Sequence, residues 1–250
     1  MILAAAALFL ISCHRDEPTP NPETRVTQKY LVSIQPTGDT LMAYTDDYIW
    51  ENGLLKRIDN TMYVPSSGTT SSNQTIFIYD GTDCIEEHFV SSNGTTNRYY
   101  TYSNGRMTSG VEMRNSDTLI KISINSYTPD GYVQSLSYNY LRSQLSYDYE
   151  FTWENGDMTR YIRHHIQPAG ESDTVNVYYD SYPNVNAGIP LSDAVFDPQH
   201  IASRCSKHNW LLSNTEYTYK NGRLVKGTNT GSAITMYNYY TYSDGTTGRE

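Results

Sequence analysis

The feature that most constrains the fold of this 250-residue chain is a recurring two-residue turn. Asn-Gly or Asp-Gly separates aromatic stretches at intervals of about 25 residues, a period typical of an architecture built from copies of one unit. Both central residues of a type I′ turn have positive φ, so each pair predicts a β-hairpin. The Asn-Gly pairs lie at 52–53, 104–105, 155–156 and 221–222, and the Asp-Gly pairs at 80–81, 130–131 and 244–245.

The residues that flank these turns alternate in polarity, as half-buried antiparallel strands do. A two-residue turn predicts aromatic–aliphatic pairs close to it: Trp50 with Leu55, Tyr102 with Met107, Trp153 with Met158, and Tyr219 with Leu224. The same register, continued, pairs Thr218 with Val225 and sets rings beside cations: Tyr48 with Arg57, Phe151 with Arg160, and Tyr217 with Lys226. We therefore expect the recurring aromatic residues to form the packed face of a sheet whose other face is rich in threonine.

A second class of turn is longer and more variable. These polar segments lie at 66–73, 91–97, 114–118, 169–174 and 229–232. With the tight turns they divide the chain into about fourteen strands, more than one flat sheet normally carries. The sequence therefore predicts an all-β fold, an antiparallel meander over residues 28–250 that curls into an open or closed barrel-like sheet.

One region, residues 183–213, interrupts the pattern. A long loop within a compact domain is usually functional or flexible, so a crossover, lid or plug is expected here. The region contains Asp197, His200, Cys205 and His208, but their spacing matches no standard zinc arrangement, and we predict no metal site. His164 and His165 are neighbours on a strand and point to opposite faces, so they cannot chelate one ion together.

The composition and the absence of known motifs argue against several classes of function. The net charge of −9, without a basic cluster, argues against nucleic acid as a partner. No nucleotide-binding or hydrolase motif is present, so we assign no catalytic residue and no cofactor. The chain has 24 tyrosines, and the irregular aromatic residues are the better candidates for a ligand platform than the periodic ones. These candidates are Trp210, Tyr178, Tyr179 and Tyr182.

The N-terminal segment indicates where in the cell the protein is located. Residues 1–13 form an apolar run too short for a permanent membrane helix, and it ends in Leu-Ile-Ser-Cys, which resembles the lipobox of bacterial lipoproteins. That resemblance implies a signal peptide over residues 1–13 and lipidation of Cys13, through which the protein would contact the membrane. Residues 14–27 are charged and proline-rich, as in a flexible tether.

The acidic residues at 16–17 resemble the surface-export signal of Bacteroidetes lipoproteins. This implies an outer-membrane protein exposed at the cell surface, with the periplasmic face as the alternative. Cys84 and Cys205 could form a disulfide, but no framework spacing supports the bridge, and two separate buried thiols are favoured.

Three Asp-Thr pairs at expected loop-to-strand edges resemble the O-glycosylation motif of Bacteroidetes, with Thr40, Thr118 and Thr174 as acceptors. The alternative is that Asp-Thr is simply a favourable start for a strand.

The C-terminal segments 203–228 and 237–245 resemble a Bacteroidetes lipoprotein domain of unknown function with a porin-like fold, and more distantly the tyrosine-rich RHS repeats. The resemblance implies a curled or closed antiparallel sheet and no activity. Porin strands also alternate apolar and polar residues. A true channel is disfavoured by Arg57, Arg160 and Lys226 on the aromatic face, by the charged C-terminus and by Cys13.

The leading functional hypothesis is a non-enzymatic surface module that binds a glycan or a partner protein. The alternatives are a hydrolase of a surface polysaccharide, with its site at 183–213, and a carrier of a lipid or other apolar ligand inside the barrel.

Overall fold

A computed structural model describes residues 25–186, 189–191, 195–196, 198–212, 214–231 and 234–249. The architecture is a 15-stranded antiparallel sheet with a separate pair of strands, β13 and β14. The strands are β1 (Val26–Ile34), β2 (Thr40–Glu51), β3 (Leu54–Val64), β4 (Thr69–Asp80), β5 (Asp83–Ser91), β6 (Gly94–Ser103), β7 (Arg106–Arg114), β8 (Asp117–Tyr127), β9 (Val133–Tyr140), β10 (Leu145–Glu154), β11 (Asp157–Gln167), β12 (Asp173–Asn176), β13 (Tyr178–Pro183), β14 (His208–Leu211), β15 (Thr215–Lys220), β16 (Arg223–Thr230) and β17 (Thr235–Tyr242). The helix α1 spans Pro198–Cys205.

The large sheet confirms the predicted all-β meander. Its strands follow chain order from β12 back to β1, and β1 then pairs with β17, which continues through β16 to β15. The C-terminal hairpins therefore join the N-terminal strand, but β12 and β15 remain edges that no described ladder joins. The curled sheet is open. Among the described residues, no helix has the length and apolarity needed to span a lipid bilayer.

The Asn-Gly pairs form the tight turns that the sequence predicts. At 52–53, for example, Asn52 has φ 48° and Gly53 has φ 87°, and Glu51 pairs with Leu54 across the turn. The Asp-Gly pairs differ. Asp80 pairs with Asp83, so the turn is Gly81–Thr82, and the turn at 130–131 is a longer loop closed between Thr128 and Tyr132.

The pairs nearest the turns are also as predicted: Trp50 with Leu55, Tyr102 with Met107, Trp153 with Met158, and Tyr219 with Leu224. One residue further, each of these hairpins contains a β-bulge, so the continued register was wrong. The observed pairs are Tyr48 with Ile58, Phe151 with Tyr161, Thr218 with Lys226, and Tyr217 with Gly227, rather than Tyr48 with Arg57, Phe151 with Arg160, Thr218 with Val225 and Tyr217 with Lys226.

The bulge changes which residues occupy the aromatic face. One extra residue on the second strand shifts the following side chains to the other face and increases the local twist. Arg57 and Arg160 are consequently exposed on the outer face. Lys226 lies over the rings of Tyr237 and Tyr239, 4.9 and 5.3 Å from their centroids. The inner face is therefore more apolar than the sequence suggested.

The core lies on the inner face, close to the tight turns. The residue two positions after the Asn-Gly glycine is buried in each copy: Leu55, Met107, Met158 and Leu224. The largest buried cluster extends over β6–β11, and smaller clusters lie around Leu55 and around Tyr242. Aromatic rings supply much of this core, as Tyr138 and Tyr149 illustrate. The periodic aromatic residues are thus mainly structural.

Candidate functional site: a cavity between the interruption and the sheet

The described residues of the 183–213 interruption lie inside the curled sheet. Ile189 packs against Leu55 and Phe77 in β3 and β4. Val185 packs against the Val26–Tyr242 cluster on the other side. Ile201, in α1, belongs to the large cluster. Because one short segment reaches strands from all parts of the sheet, the sheet must curl around it. The interruption is a plug, one of the three forms expected from the sequence.

Two buried asparagines fix the shape of the plug. The side chain of Asn184 donates to the backbone carbonyl of Ser206 over 2.8 Å. Asn209 donates to Asp180 Oδ2 over 3.0 Å and accepts from the backbone amide of Val185 over 2.8 Å. Buried amides with such partners satisfy backbone groups that a loop leaves without a ladder.

The plug and the preceding strand β13 together bridge the open edges of the sheet. On the β11 side, Asp157 Oδ2 lies 2.7 Å from His208 Nδ1, and Asp157 Oδ1 accepts from the backbone amide of His208. On the β15 side, Tyr219 donates its hydroxyl hydrogen to Asp180, and its ring stacks on Tyr182 with centroids 4.0 Å apart. These side chains, together with a backbone hydrogen bond from the amide of Lys207 to the carbonyl of Gly156, link the plug and β13 to strands near both edges of the sheet.

A polar network anchors the middle of the plug. Arg98 donates to Glu87 over 3.1 Å and to Glu112 over 2.9 Å, and its guanidinium lies 4.7 Å from the ring centroid of Phe196. Burial alone would lower the pKa of Arg98, but the two carboxylates outweigh it and raise that pKa above its usual value. Tyr100 also donates to Glu87 over 2.8 Å. Both carboxylates are held by the same guanidinium, which favours a structural role over acid–base catalysis.

Between the plug and strands β1, β15, β16 and β17 lies a cavity of about 310 Å³. Aromatic rings and amides dominate its lining: Trp210, Tyr217, Tyr240, Asn186, Asn229 and Asn238. Exposed side chains at its border, such as Leu212, show where it reaches solvent. A small concave site with a few convergent polar groups is the usual form of a ligand site.

The cavity is lined by cations and by neutral groups. Lys29, from β1, and Arg204, from α1, both contribute to it. Burial raises the pKa of Tyr240 to about 12, and it also raises the pKa of Tyr217. Both hydroxyls therefore stay protonated at neutral pH and can donate a hydrogen bond. Among the described lining residues there is no Asp or Glu.

The four aromatic residues singled out from the sequence lie in one region but not in one site. Trp210 lines the cavity and pairs with Tyr179 in the β13–β14 ladder. Tyr179 accepts a hydrogen bond from Ser206 over 2.8 Å, and burial raises its pKa above the usual value. Tyr178 is 67% exposed, and Tyr182 is stacked on Tyr219. Ligand binding by any of them stays a prediction.

The remaining sequence predictions concern modification and metal. Thr40, Thr118 and Thr174 lie at or next to the first residue of β2, β8 and β12, so the expected strand-edge position is correct. Cys13 and the segments 1–13 and 14–24 lie outside the described residues, as does Asp197. The described residues contain no group of three or more His, Cys, Asp or Glu that could hold a metal ion.

Cys84 and Cys205 are both free and buried, as favoured from the sequence. They occupy different clusters, with Cys84 beside Leu55 and Cys205 in the large core.

Several cavity residues were not foreseen. Lys29 shares the inner face of β1 with Leu31 and Ser33, and a lysine at an inward position of a strand is the signal that could have drawn attention to it. Tyr240 and Asn238 belong to the same inner face of β17. Their link to Arg204 depends on how the plug folds back, which no local pattern reveals.

Comparison with known proteins supports the fold. The class defined by these strands is an open, curled antiparallel meander. The crystal structure of a porin-like protein from Bacteroides uniformis is similar, with a TM-score of 0.56 over 89% of this chain and 99% of that chain. The two sequences are 14% identical, so the likeness concerns the fold alone. No family model matches this chain, and no curated protein does.

Proposed function

We propose that this protein is a lipid-anchored, non-enzymatic binding module at the bacterial cell surface, and that its internal cavity takes a glycan. The observation that carries the proposal is the cavity lining, in which rings and amides converge on one small space. The apolar face of a sugar ring packs on an aromatic ring, while its hydroxyls exchange hydrogen bonds with amides and phenols.

The polar side chains on the outer face of the sheet support the proposal that the folded domain is surrounded by water rather than by lipid. In β8, for example, Lys121, Ser123 and Asn125 are exposed while Ile122 between them is buried. A strand that faced hydrocarbon would place apolar side chains on its outer face. The N-terminal resemblance to lipoproteins supplies the proposed attachment, through Cys13.

The lining disfavours the two alternatives. A glycoside hydrolase needs two carboxyl groups about 5–9.5 Å apart at the scissile bond, and the described lining offers neither. An apolar ligand would give no hydrogen-bond partner to the Lys29 ammonium, which donates to none of the described residues, and an unpaired group of this kind costs about 1–3 kcal/mol.

Glycan-array binding by the purified protein tests the binding proposal. We expect binding to a subset of glycans, and its loss in Trp210→Ala. Tyr178→Ala is the matched control, because that ring is 67% exposed on the neighbouring strand and lies outside the cavity lining. Absence of binding to every glycan, or equal binding by both variants, would refute the glycan proposal.

A separate experiment tests the anchor. Metabolic labelling with a fatty-acid analogue should mark the wild-type protein and leave Cys13→Ser unlabelled. Added protease should digest the wild-type protein on intact cells. Labelling that survives the substitution would refute the lipid anchor, and protection from protease would place the protein on the periplasmic face.

A further inference from the structure

We infer that the glycan bound in this cavity carries a carboxylate, as a uronic acid does, and that Lys29 and Arg204 are its charged contacts. The inference rests on the proposed glycan-binding function and names the class of ligand. Four observations support it: the sign of the lining, the surroundings of Lys29, the position of Arg204, and the size of the cavity.

The charge of the cavity lining is opposite in sign to the net charge of the protein. The net charge of the protein is −9, with 27 acidic and 18 basic residues. An unselected surface of this protein would therefore present more carboxylates than cations. The described lining instead contains two cations, Lys29 and Arg204, and no carboxylate. A concave site with one sign of charge concentrates ligands of the other sign.

Lys29 is the least satisfied of these groups. Its ammonium makes no hydrogen bond or ion pair with the residues that the structure describes. Its neighbours across the ladders are Asp46 on β2 and Tyr240 on β17. Burial lowers the pKa of Lys29, the Asp46 carboxylate raises it, and the Arg204 guanidinium lowers it again. A bound anion would offset both unfavourable contributions.

Arg204 faces Lys29 from the plug. Its Nη1 donates to Asn186 Oδ1 over 2.8 Å, which fixes the guanidinium at the cavity wall. A guanidinium presents several donors in one plane and is suited to a carboxylate. Arg204 also lies in the last turn of α1, where the carbonyl end of the helix stabilises a cation.

The charge balance favours a monoanion over a phosphate. Lys29 and Arg204 contribute two positive charges, and Asp46, the acidic neighbour of Lys29, removes one. The remaining charge of about +1 matches a carboxylate, whereas a phosphate monoester carries about −1.5 to −2 at neutral pH. The volume of about 310 Å³ lies at the small end of ligand pockets, which suits a ligand of one or two sugar rings.

The remaining groups fit the uncharged part of such a sugar. Trp210 offers a ring for stacking, and the protonated hydroxyl of Tyr240 can donate. Asn229 and Asn238 add amides on the sheet side. The cations would thus bind the carboxylate, while the aromatic and amide groups would contact the sugar ring.

Calorimetric titration of the full-length protein tests the inference, with a glucuronic-acid-containing disaccharide and its carboxyl-reduced form as probes. The two probes differ only in the carboxylate. We expect the acidic probe to bind about 10- to 100-fold more tightly, as for a hydrogen-bonded charge pair. Lys29→Gln should abolish this preference, and Arg204→Gln should reduce it. Lys121→Gln, on the outer face, is the control and should leave it unchanged.

The outcomes separate this inference from the proposal beneath it. Equal binding of the two probes would overturn the carboxylate inference and leave the glycan proposal intact. If neither probe bound but neutral glycans bound on the array, the carboxylate inference would again be overturned and the glycan proposal would stand. If no glycan bound at all, both the carboxylate inference and the glycan proposal would be overturned. If Lys29→Gln kept the preference with an unchanged melting temperature, the assignment of Lys29 would be wrong.

Discussion

The packing of the plug predicts how much the side chain of Ile201 contributes to the stability of the protein. This side chain is 0% exposed and packs from α1 into the large core, so its truncation to alanine creates a cavity that the surrounding strands cannot refill. Deletions of this kind cost about 2–5 kcal/mol, of which the better helix propensity of alanine returns a few tenths. We expect Ile201→Ala to lower the free energy of unfolding by about 2–4 kcal/mol.

The matched control is Ile166→Ala, the same deletion at a side chain that is 52% exposed on β11. We expect this variant to lose less than about 1 kcal/mol. Urea denaturation with an unchanged m-value measures both, and the Ile201 variant should melt about 5–15 °C below the wild type. Equal losses in the two variants would refute the packing of α1 against the inner face.

Three further predictions concern thiols, tyrosines and turns. Cys84 and Cys205 should react with a thiol reagent only after denaturation, because both are free and buried; rapid labelling of the native protein would contradict the packing. Burial raises the pKa of Tyr149 and Tyr240 to about 12, so the unfolded chain loses these protons first above pH 10. Stability is therefore full below pH 10 and should fall with rising pH, by about 1.4 kcal/mol per pH unit for each such tyrosine; absorbance titration that finds all tyrosines ionising together near pH 10, without unfolding, would contradict this. Gly222→Ala should cost about 1–2 kcal/mol through its φ of 73°, and Gly156→Ala should cost a similar amount through its φ of 91°, because the Lys207 side chain that the added Cβ would meet is flexible and can move aside; an unchanged melting temperature in either variant would contradict the turn geometry.

The sequence predicts the local parts of this fold well. An Asn-Gly turn and the pair beside it, such as Trp50 with Leu55, depend on neighbouring residues alone, and both are correct. The bulge after that pair recurs at the same position in all four Asn-Gly hairpins, but the alternation of polar and apolar residues does not show where an extra residue is inserted. In the β2–β3 hairpin the extra residue is Lys56, and no neighbouring residue predicts a bulge there. The expected position of Arg57 beside Tyr48 was therefore wrong.

The candidate site was less predictable, because its residues meet only through long-range contacts. Lys29 and Tyr240 face each other because the first strand pairs with the last, and Arg204 reaches them because the plug folds into the interior. The break in the repeat did point to the right region, and Trp210 lies in the cavity lining. The repeat itself builds the wall of the site, and the interruption completes it.

Hydrogen exchange of the α1 amides tests the central claim most directly, namely that the interruption lies packed inside the sheet. α1 has 8 residues, well below the roughly 12–15 that an isolated helix needs in water, so it can be protected only by its surroundings. The account predicts slow exchange for Ile201–Cys205, comparable with the amides of β11, against which α1 packs. Exchange of these amides at the rate of an unstructured peptide, while β11 stays protected, would contradict it.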